Sequence, residues 1–284
     1  MTEKSFLARM ALASKARVDK ARSAEPEEVL LDRALATDEP PPLTLSRFNL
    51  FAELKLRSPA DGPLAEAHCD QNGRLKAYAS GGAAAVSVLT EPEEFKGSLT
   101  HLKEAASVLN PLGVPVMRKD FITDPYQVLE ARAAGASGIL LIVSMLNDEE
   151  TLTLIDSAQT CGLFVLLEGF TVQDLQQIKK LIATLPATSK QMILVGVNCR
   201  DLKTLKVDFA RFKELAKHLS DQTMAVAESG IANIQDITEV VQWGYQGALV
   251  GSALMTSGDP AETTAEFVAA GLKSAAFKGS GHVR

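Results

Sequence analysis

Residues 115–143 read PVMRKDFITDPYQVLEARAAGASGILLIV, and this stretch contains the repeating unit of the fold. The short apolar run Val114–Arg118 predicts a buried strand. The segment DPYQVLEARAAGA that follows is amphipathic and ends at a glycine, as helices often do. Gly138–Val143 is a second continuous apolar run. The stretch therefore predicts strand, helix and strand in succession, which is the unit of a parallel sheet.

The same unit occurs on both sides of this stretch. Most of the other apolar runs are also continuous rather than alternating, as expected for strands that are buried on both faces. These runs are Leu50–Leu54, Ala84–Leu89, Leu163–Glu168, Met192–Asn198, Met224–Glu228 and Gly247–Gly251. Eight strand–helix units with no strong linker between them predict an α/β fold of the (β/α)8 TIM barrel type. A doubly wound open sheet is the alternative, although no glycine-rich dinucleotide fingerprint follows the first strand.

The segment before the first strand has a different character. A charged helical stretch runs to about Ala36, and TDEPPPLT after it is a proline-rich connector. We therefore expect an N-terminal helical extension with its connector at residues 1–45. It should pack on a barrel catalytic domain at residues 46–284 rather than form a separate domain.

Composition and charge exclude several classes of protein. The chain has 284 residues, of which 46% are hydrophobic and 23% charged, as in ordinary globular enzymes. Its net charge of −6 provides no basic field for nucleic acid or a membrane. The three cysteines, Cys69, Cys161 and Cys199, lack metal-ligand spacing and predict reduced thiols. No apolar run resembles a signal peptide or the roughly 20 residues of a membrane span, so the expected location is the cytoplasm.

Charged and polar residues follow the predicted strands at the end where barrel enzymes carry their active sites. Taken singly, each has an ordinary explanation as an ion pair, a loop cap or a carboxylate at the rim. Together they are costly to bury unless they face one polar cavity, which favours a common site. The residues are Glu53, Lys55, Lys119, Glu168, Asn198, Arg200, Glu228 and Ser229.

The last two units contain a phosphate-binding signal. Gly230 and Gly251 directly follow the seventh and eighth strands, and Ser252 adds a further donor. In many barrels these loops bind a phosphate through backbone N–H groups, and glycine lets the anion approach closely. Glycines also simply end strands. The pairing across both final units is what favours a phosphate site.

Six motifs resemble those of the indole-3-glycerol-phosphate synthase family and occur in its order from about Leu50 to Asp259. They are FAELKLRSP, SVLTEPEEFKGS, PVMRKDFITDPYQVLEARAAGASGILLI, GVNCRDLKTLKVD, AESGI and LVGSALM. The third motif and the NxRDL pattern are the most specific. The resemblance implies a TIM-barrel lyase of tryptophan biosynthesis. Its substrate is 1-(2-carboxyphenylamino)-1-deoxyribulose 5-phosphate, whose indole ring is closed with loss of carbon dioxide and water.

The resemblance also implies the partners and cofactors. The partner is a small anionic substrate with a phosphate and a carboxylate, and association with other tryptophan-pathway enzymes stays open. The reaction is redox-neutral, so neither nicotinamide nor flavin is implied. No metal is expected, because the histidines are scattered without ligand spacing. They are His68, His101, His218 and His282.

The strand-end residues acquire roles from the resemblance. Lys119 is the implied general acid that protonates the C2 carbonyl during ring closure, and Lys55 is the implied second acid. Glu53 and Glu168 are the implied base and hydroxyl-positioning carboxylate, in an order that the sequence leaves open. Four further residues are implied to position the substrate or the two lysines: Asn198, Arg200, Glu228 and Ser229.

Binding residues follow in the same way. The positions that match the phosphate site are Ser58, Gly230, Gly251 and Ser252. The positions that match the apolar wall around the anthranilate ring are Phe95, Phe121 and Leu140. For the two aromatic residues, a place in the ordinary core is nearly as good an explanation.

The chain departs from the usual family pattern at several places, including the N-terminal extension and the long segment ATLPATSKQ before strand six. Leu56 stands where a basic residue is common, Ala60 stands in place of a serine, and Gly169-Phe170 follows the fifth strand. Two alternatives therefore stay open. One is another phosphate-binding barrel enzyme, either an isomerase or an aldolase that forms a Schiff base. The other is a catalytically altered barrel that serves as a partner or regulatory subunit.

Overall fold

The computed structural model describes residues 5–58, 62–63, 70–200, 206–220 and 222–280, with the backbone alone at 58, 63 and 278–280. Within these residues, eight parallel strands close into a barrel. They are β1 Asn49–Leu54, β2 Ala85–Leu89, β3 Val116–Lys119, β4 Gly138–Ile142, β5 Phe164–Gly169, β6 Ile193–Asn198, β7 Ala225–Glu228 and β8 Gly247–Val250. The predicted (β/α)8 TIM barrel is confirmed. The open sheet is wrong, because β1 pairs with β8 as well as with β2.

Helices precede the barrel and alternate with its strands. They are α1 Phe6–Ala24, α2 Glu27–Ala36, α3 Gln71–Ser80, α4 Leu99–Leu109, α5 Pro125–Ala133, α6 Asp148–Thr160, α7 Val172–Thr184, α8 Ala187–Lys190, α9 Ala210–Leu215, α10 Ile234–Trp243, α11 Ser252–Met255 and α12 Pro260–Ser280. Side-chain caps define where several of them begin: Asn147, Thr171 and Asn233 each form a reciprocal capping box. Of the helices in the described ranges, none combines the length and apolarity that crossing a bilayer requires.

Alternation along the strands decides which side chains face the barrel interior. Phe51, Met117, Leu166 and Val226 belong to one apolar cluster and come from the alternate strands β1, β3, β5 and β7. Side chains two residues apart on a strand lie on the same face. Two residues further along these strands come Glu53, Lys119, Glu168 and Glu228. The uppermost layer of the barrel core, at the carboxyl ends of the strands, is therefore charged.

The N-terminal extension packs on the barrel. Met10 of α1 is buried in the same apolar cluster, and the buried Ser14 hydroxyl donates to the carbonyl of Phe121. The Arg132 guanidinium on α5 donates to the carbonyls of Thr37 and Asp38, which follow α2. These contacts accord with an extension held against the barrel, and the boundary between residues 45 and 46 stays a prediction.

Candidate active site

The charged layer surrounds Lys119. Its Nζ atom lies 3.6 Å from Oε2 of Glu168 and 3.5 Å from Oε2 of Glu228. Nζ of Lys55 lies 2.8 Å from Oε1 of Glu53. The three glutamates are at most 4% exposed. Two lysines and three carboxylates therefore share one buried end of the barrel, as the sequence predicts.

The consecutive charges Arg118, Lys119 and Asp120 separate by strand alternation. Lys119 lies in the interior layer. Arg118 instead donates to the Gln127 carbonyl at 2.7 Å and pairs with Asp120 at 3.1 Å and Glu130 at 3.0 Å. The flanking charges thus hold the helical layer to β3, and Lys119 alone of the three belongs to the charged layer.

Asn198 holds a carboxylate. Its Nδ2 group donates to Oε1 of Glu168 at 2.6 Å, and its Oδ1 atom accepts the backbone N–H of Arg200 at 2.9 Å. Glu168 consequently presents its other oxygen to Lys119. The sequence-based interpretation of Asn198 as a substrate contact did not include this intramolecular bond.

Of the three buried carboxylates, Glu228 has the weakest polar contacts to offset the cost of its burial. Its Oε2 atom meets Lys119 at 3.5 Å, and within the described residues no closer donor reaches either of its oxygens. A Cβ atom at Gly196 would overlap with its Oε1 atom, so the glycine provides the space that the carboxylate fills. Burial and the neighbouring Glu168 raise the pKa of Glu228 to about 8, against the opposing effect of Lys119. The protonated form of Glu228 is therefore favoured more than that of an ordinary glutamate.

Lys119 and Glu53 keep their usual charged forms. Burial would lower the pKa of Lys119, but Glu168, Glu228 and Glu53 together hold it above the ordinary value. Burial would raise the pKa of Glu53, but Lys55, Lys119 and Arg200 hold it below the ordinary value. The site thus offers an ammonium donor beside a carboxylate in its basic form.

A cavity of about 440 Å³ opens beside the charged layer, where β7 and β8 end. Ser229 and Gly230 follow β7 with φ values of 70° and 72°, in the left-handed region. This conformation strains a residue other than glycine, and such strain is concentrated at functional sites. Gly230, Gly251 and Ser252 line this cavity, as predicted for a phosphate site.

Gly251 has a second reason to be a glycine. A Cβ atom there would overlap with Oε1 of Glu53 and lie 2.8 Å from Nζ of Lys55. Room for an anion is therefore not the sole reason for a glycine at this position, because the nearest atoms belong to this ion pair. At Gly230, a Cβ atom would lie 2.7 Å from Cγ1 of Val207.

A smaller apolar cavity of about 100 Å³ lies on the other side of the charged layer. The predicted wall residues Phe95, Phe121 and Leu140 all line it. The ring centroids of Phe95 and Phe121 are 6.3 Å apart. The two cavities share five lining residues, so the charged layer joins them into one site. The shared residues are Glu53, Lys55, Lys119, Arg200 and Ser229.

Several lining residues were not predicted from the sequence. Leu89 and Ile142 end β2 and β4, so their strand-end position could have indicated them. Phe170 also lines the apolar cavity, which gives the unusual residues after β5 a place in the wall. Phe6 and Leu7 come from α1, and nothing in their sequence surroundings signals that they reach the site.

The remaining sequence predictions concern single positions. The side chain of Ser58 and the whole of Ala60, His68, Cys69 and His282 lie outside the described residues. Leu56 is half-buried. Cys161 and Cys199 are buried free thiols.

Solved structures with this fold include enzymes of other chemistry. The 3-hexulose-6-phosphate synthase from Salmonella typhimurium matches with a TM-score of 0.60 and 12% identity, over 80% of this chain and 100% of that chain. The thiamine phosphate pyrophosphorylase from Pyrococcus furiosus matches with a TM-score of 0.58 and 15% identity, over 80% and 97%. At such identities the likeness shows the barrel fold alone.

Sequence relatives are more informative. The family model described as indole-3-glycerol phosphate synthase matches residues 6–267. The indole-3-glycerol phosphate synthase of Rhodococcus jostii is 39% identical over 264 residues, which cover 93% of this chain and 90% of the relative. That of Nocardioides sp. is 42% identical over 235 residues, covering 81% and 85%. That of Mycobacterium tuberculosis is 38% identical over 245 residues, covering 84% and 85%. The chain therefore belongs to the indole-3-glycerol phosphate synthase family.

Proposed function

We propose that this protein converts 1-(2-carboxyphenylamino)-1-deoxyribulose 5-phosphate into indole-3-glycerol phosphate, carbon dioxide and water. The observation that carries the proposal is the buried Lys119 ammonium between Glu168 and Glu228, with an apolar cavity on one side and a glycine-lined cavity on the other. Family membership supports the same reaction. The protein thus acts as a decarboxylating lyase of tryptophan biosynthesis, and its cytoplasmic location stays a prediction.

The two cavities suit the two ends of this substrate. The aryl ring is held in the apolar cavity against Phe95, Phe121 and Leu140. The phosphate binds at the other end, which is lined by the backbone beside Gly230 and Gly251 and by Ser252. The reacting ketone then lies between the cavities, at the charged layer.

Ring closure needs stabilisation of the ketone oxygen. The ring carbon that bears the carboxylate attacks C2, a carbon–carbon bond forms, and the carbonyl π electrons move to oxygen. The Lys119 ammonium donates its proton to that oxygen. Glu168 keeps Lys119 charged and Glu228 helps to orient it, while Asn198 fixes the second oxygen of Glu168.

Two further steps complete the indole. Carbon dioxide leaves, and the electron pair of the broken bond restores the aromatic ring. The hydroxyl on C2 then departs as water with a proton from Lys55, while a carboxylate removes a proton from C1. We assign this base to Glu53, because it pairs with Lys55 at 2.8 Å and the two groups must act on neighbouring carbons.

The deciding experiment uses the full chain and the synthetic substrate. Indole absorbance and fluorescence should increase with time, and the product should match authentic indole-3-glycerol phosphate by mass. An aldolase-type Schiff base would instead be trapped covalently by borohydride with a substrate carbonyl. A folded protein that forms no indole product contradicts the proposed function and favours the non-catalytic alternative.

A further inference from the structure

Arg17 on α1 joins two buried carboxylates of different βα loops. Its Nη2 atom lies 2.6 Å from Oδ1 of Asp120, which directly follows β3. Its Nη1 atom lies 3.6 Å from Oε1 of Glu91, which lies just beyond β2. Asp120 is 3% exposed and Glu91 is fully buried. The guanidinium therefore links the N-terminal extension to two loops at the active-site end of the barrel.

Glu91 organises the loop that carries Phe95. Its carboxylate accepts three successive backbone N–H groups, from Glu93 at 2.9 Å, Glu94 at 2.7 Å and Phe95 at 3.2 Å. A carboxylate that binds several backbone donors fixes their directions closely. The Phe95 ring consequently depends on the position of the Glu91 carboxylate for its place in the apolar cavity.

Asp120 plays the corresponding part in the loop that carries Phe121. Its Oδ1 atom accepts the backbone N–H of Phe121 at 2.8 Å, and Arg17 donates to the same oxygen. Its Oδ2 atom accepts from the Thr90 hydroxyl at 2.7 Å and from Arg118 at 3.1 Å. Asp120 thus ties the loop that follows β3 to the end of β2.

The same helix carries a third wall residue. Phe6 precedes Arg17 by about three helical turns, which puts both on one face of α1. The Phe6 ring meets Phe121 edge-on with centroids 5.9 Å apart, and Phe6 lines the apolar cavity. The rings of Phe6, Phe95 and Phe121 thus come from α1 and from the two loops. Arg17, which is also on α1, contacts both loops.

We propose that Arg17 is a positioning residue for the aromatic end of the site. Its guanidinium neutralises Glu91 and Asp120 together and holds their loops against α1, which fixes the spacing of Phe6, Phe95 and Phe121 around the substrate ring. The identity of that ring rests on the proposed function. The ordering of the loops does not, so the two parts can be tested separately.

The test compares Arg17→Met with a matched change on the same helix. Arg22 also pairs with a carboxylate across the interface, Asp124 at 2.7 Å, but its partner caps α5 and lies outside both cavities. Arg22→Met therefore controls for loss of an anchoring ion pair. Arg17→Lys keeps the charge and should restore part of any loss, and it serves as the test variant if Arg17→Met does not fold.

Hydrogen exchange without ligand measures the loops directly. Arg17→Met should raise exchange at the amides of Glu93, Glu94 and Phe95 by about tenfold, while Arg22→Met leaves them near the wild-type rate. Equal exchange in the two variants at equal loss of melting temperature would overturn the proposal, since Arg17 would then be an ordinary anchor.

Fragment inhibition measures the ring end separately from the phosphate end. Arg17→Met should raise the inhibition constant of anthranilate and the KM of the substrate by about tenfold. The inhibition constant of glycerol phosphate should stay within about twofold. Equal weakening of both fragments would contradict a role at the ring end. An inactive wild-type protein would overturn the proposed function alone, and the exchange result would still decide the role of Arg17.

Discussion

Gly196 leaves the space that the carboxylate of Glu228 occupies, because a Cβ atom at position 196 would overlap with Oε1 of Glu228. The two residues lie on neighbouring strands, β6 and β7. Glu228 in turn lies 3.5 Å from Nζ of Lys119. The absence of a side chain on one strand therefore determines where a carboxylate of the next strand meets the ammonium.

Gly196→Ala should displace the Glu228 carboxyl group from its present place beside Lys119. We expect kcat to fall by about two orders of magnitude as a result. Shortening the acid in the double variant Gly196→Ala/Glu228→Asp should recover part of that loss, because the smaller side chain no longer overlaps with the methyl group. Steady-state kinetics of both variants and of Glu228→Asp give the coupling. Additive losses in the cycle would show that the two positions act independently.

Lys119→Met should lower kcat by roughly two to four orders of magnitude, because it removes the proton donor for the ketone oxygen. Circular dichroism should show an intact barrel. Lys180→Met is a suitable control, since Lys180 also pairs with a carboxylate, Asp148 at 3.1 Å, but on the outer surface. A Lys119→Met enzyme with most of the wild-type rate would eliminate Lys119 as the acid.

Glu228 should make the stability of the protein depend on pH. The pKa of this carboxyl is raised to about 8 in the folded protein, from an ordinary value of 4.5. Between these values the folded state retains a proton that the unfolded chain has released. This retained proton stabilises the folded state. The free energy of unfolding therefore decreases as the pH rises from about 5 to about 8. The lowered pKa of Glu53 makes stability depend on pH below this window, and the raised pKa of Lys119 does so above it.

Urea unfolding of wild type and Glu228→Gln at several pH values within this window checks the prediction. The variant should lack the decline that Glu228 causes, so the difference in unfolding free energy between the two proteins should change with pH. A constant difference across the window would mean that the carboxyl does not bind the extra proton.

Gly251 and Gly230 should respond differently to substitution although both line the larger cavity. Gly251→Ala should reduce kcat by at least about tenfold as well as raise KM, because its methyl group would overlap with Glu53 and crowd Lys55. Gly230→Ala should mainly raise KM, because its methyl group would press on Val207 and strain the left-handed turn. Melting temperatures should be measured in parallel. A Gly251→Ala variant that changes KM alone would restore the simpler interpretation of Gly251 as a phosphate contact.

The barrel was predictable because parallel strands buried on both faces require continuous apolar runs, which appear directly in the sequence. All eight runs became strands, with ends that differ from the predicted ends by at most two residues. The charged residues were predictable for the same local reason. Strand ends in a barrel converge, so Lys119, Glu168 and Glu228 could be expected to meet before any distance was known.

Only the tertiary structure decided which partner each side chain meets. Strand alternation and packing separate Lys119 from Arg118 and Asp120, and Arg17 reaches Asp120 across more than a hundred positions of sequence. Phe6 enters the site because α1 docks on the barrel, and Gly196 matters because Glu228 lies beside it. Local sequence specifies strands and helices through propensity and periodicity. Contacts between distant residues depend on the closed geometry of the barrel, which the local pattern does not encode.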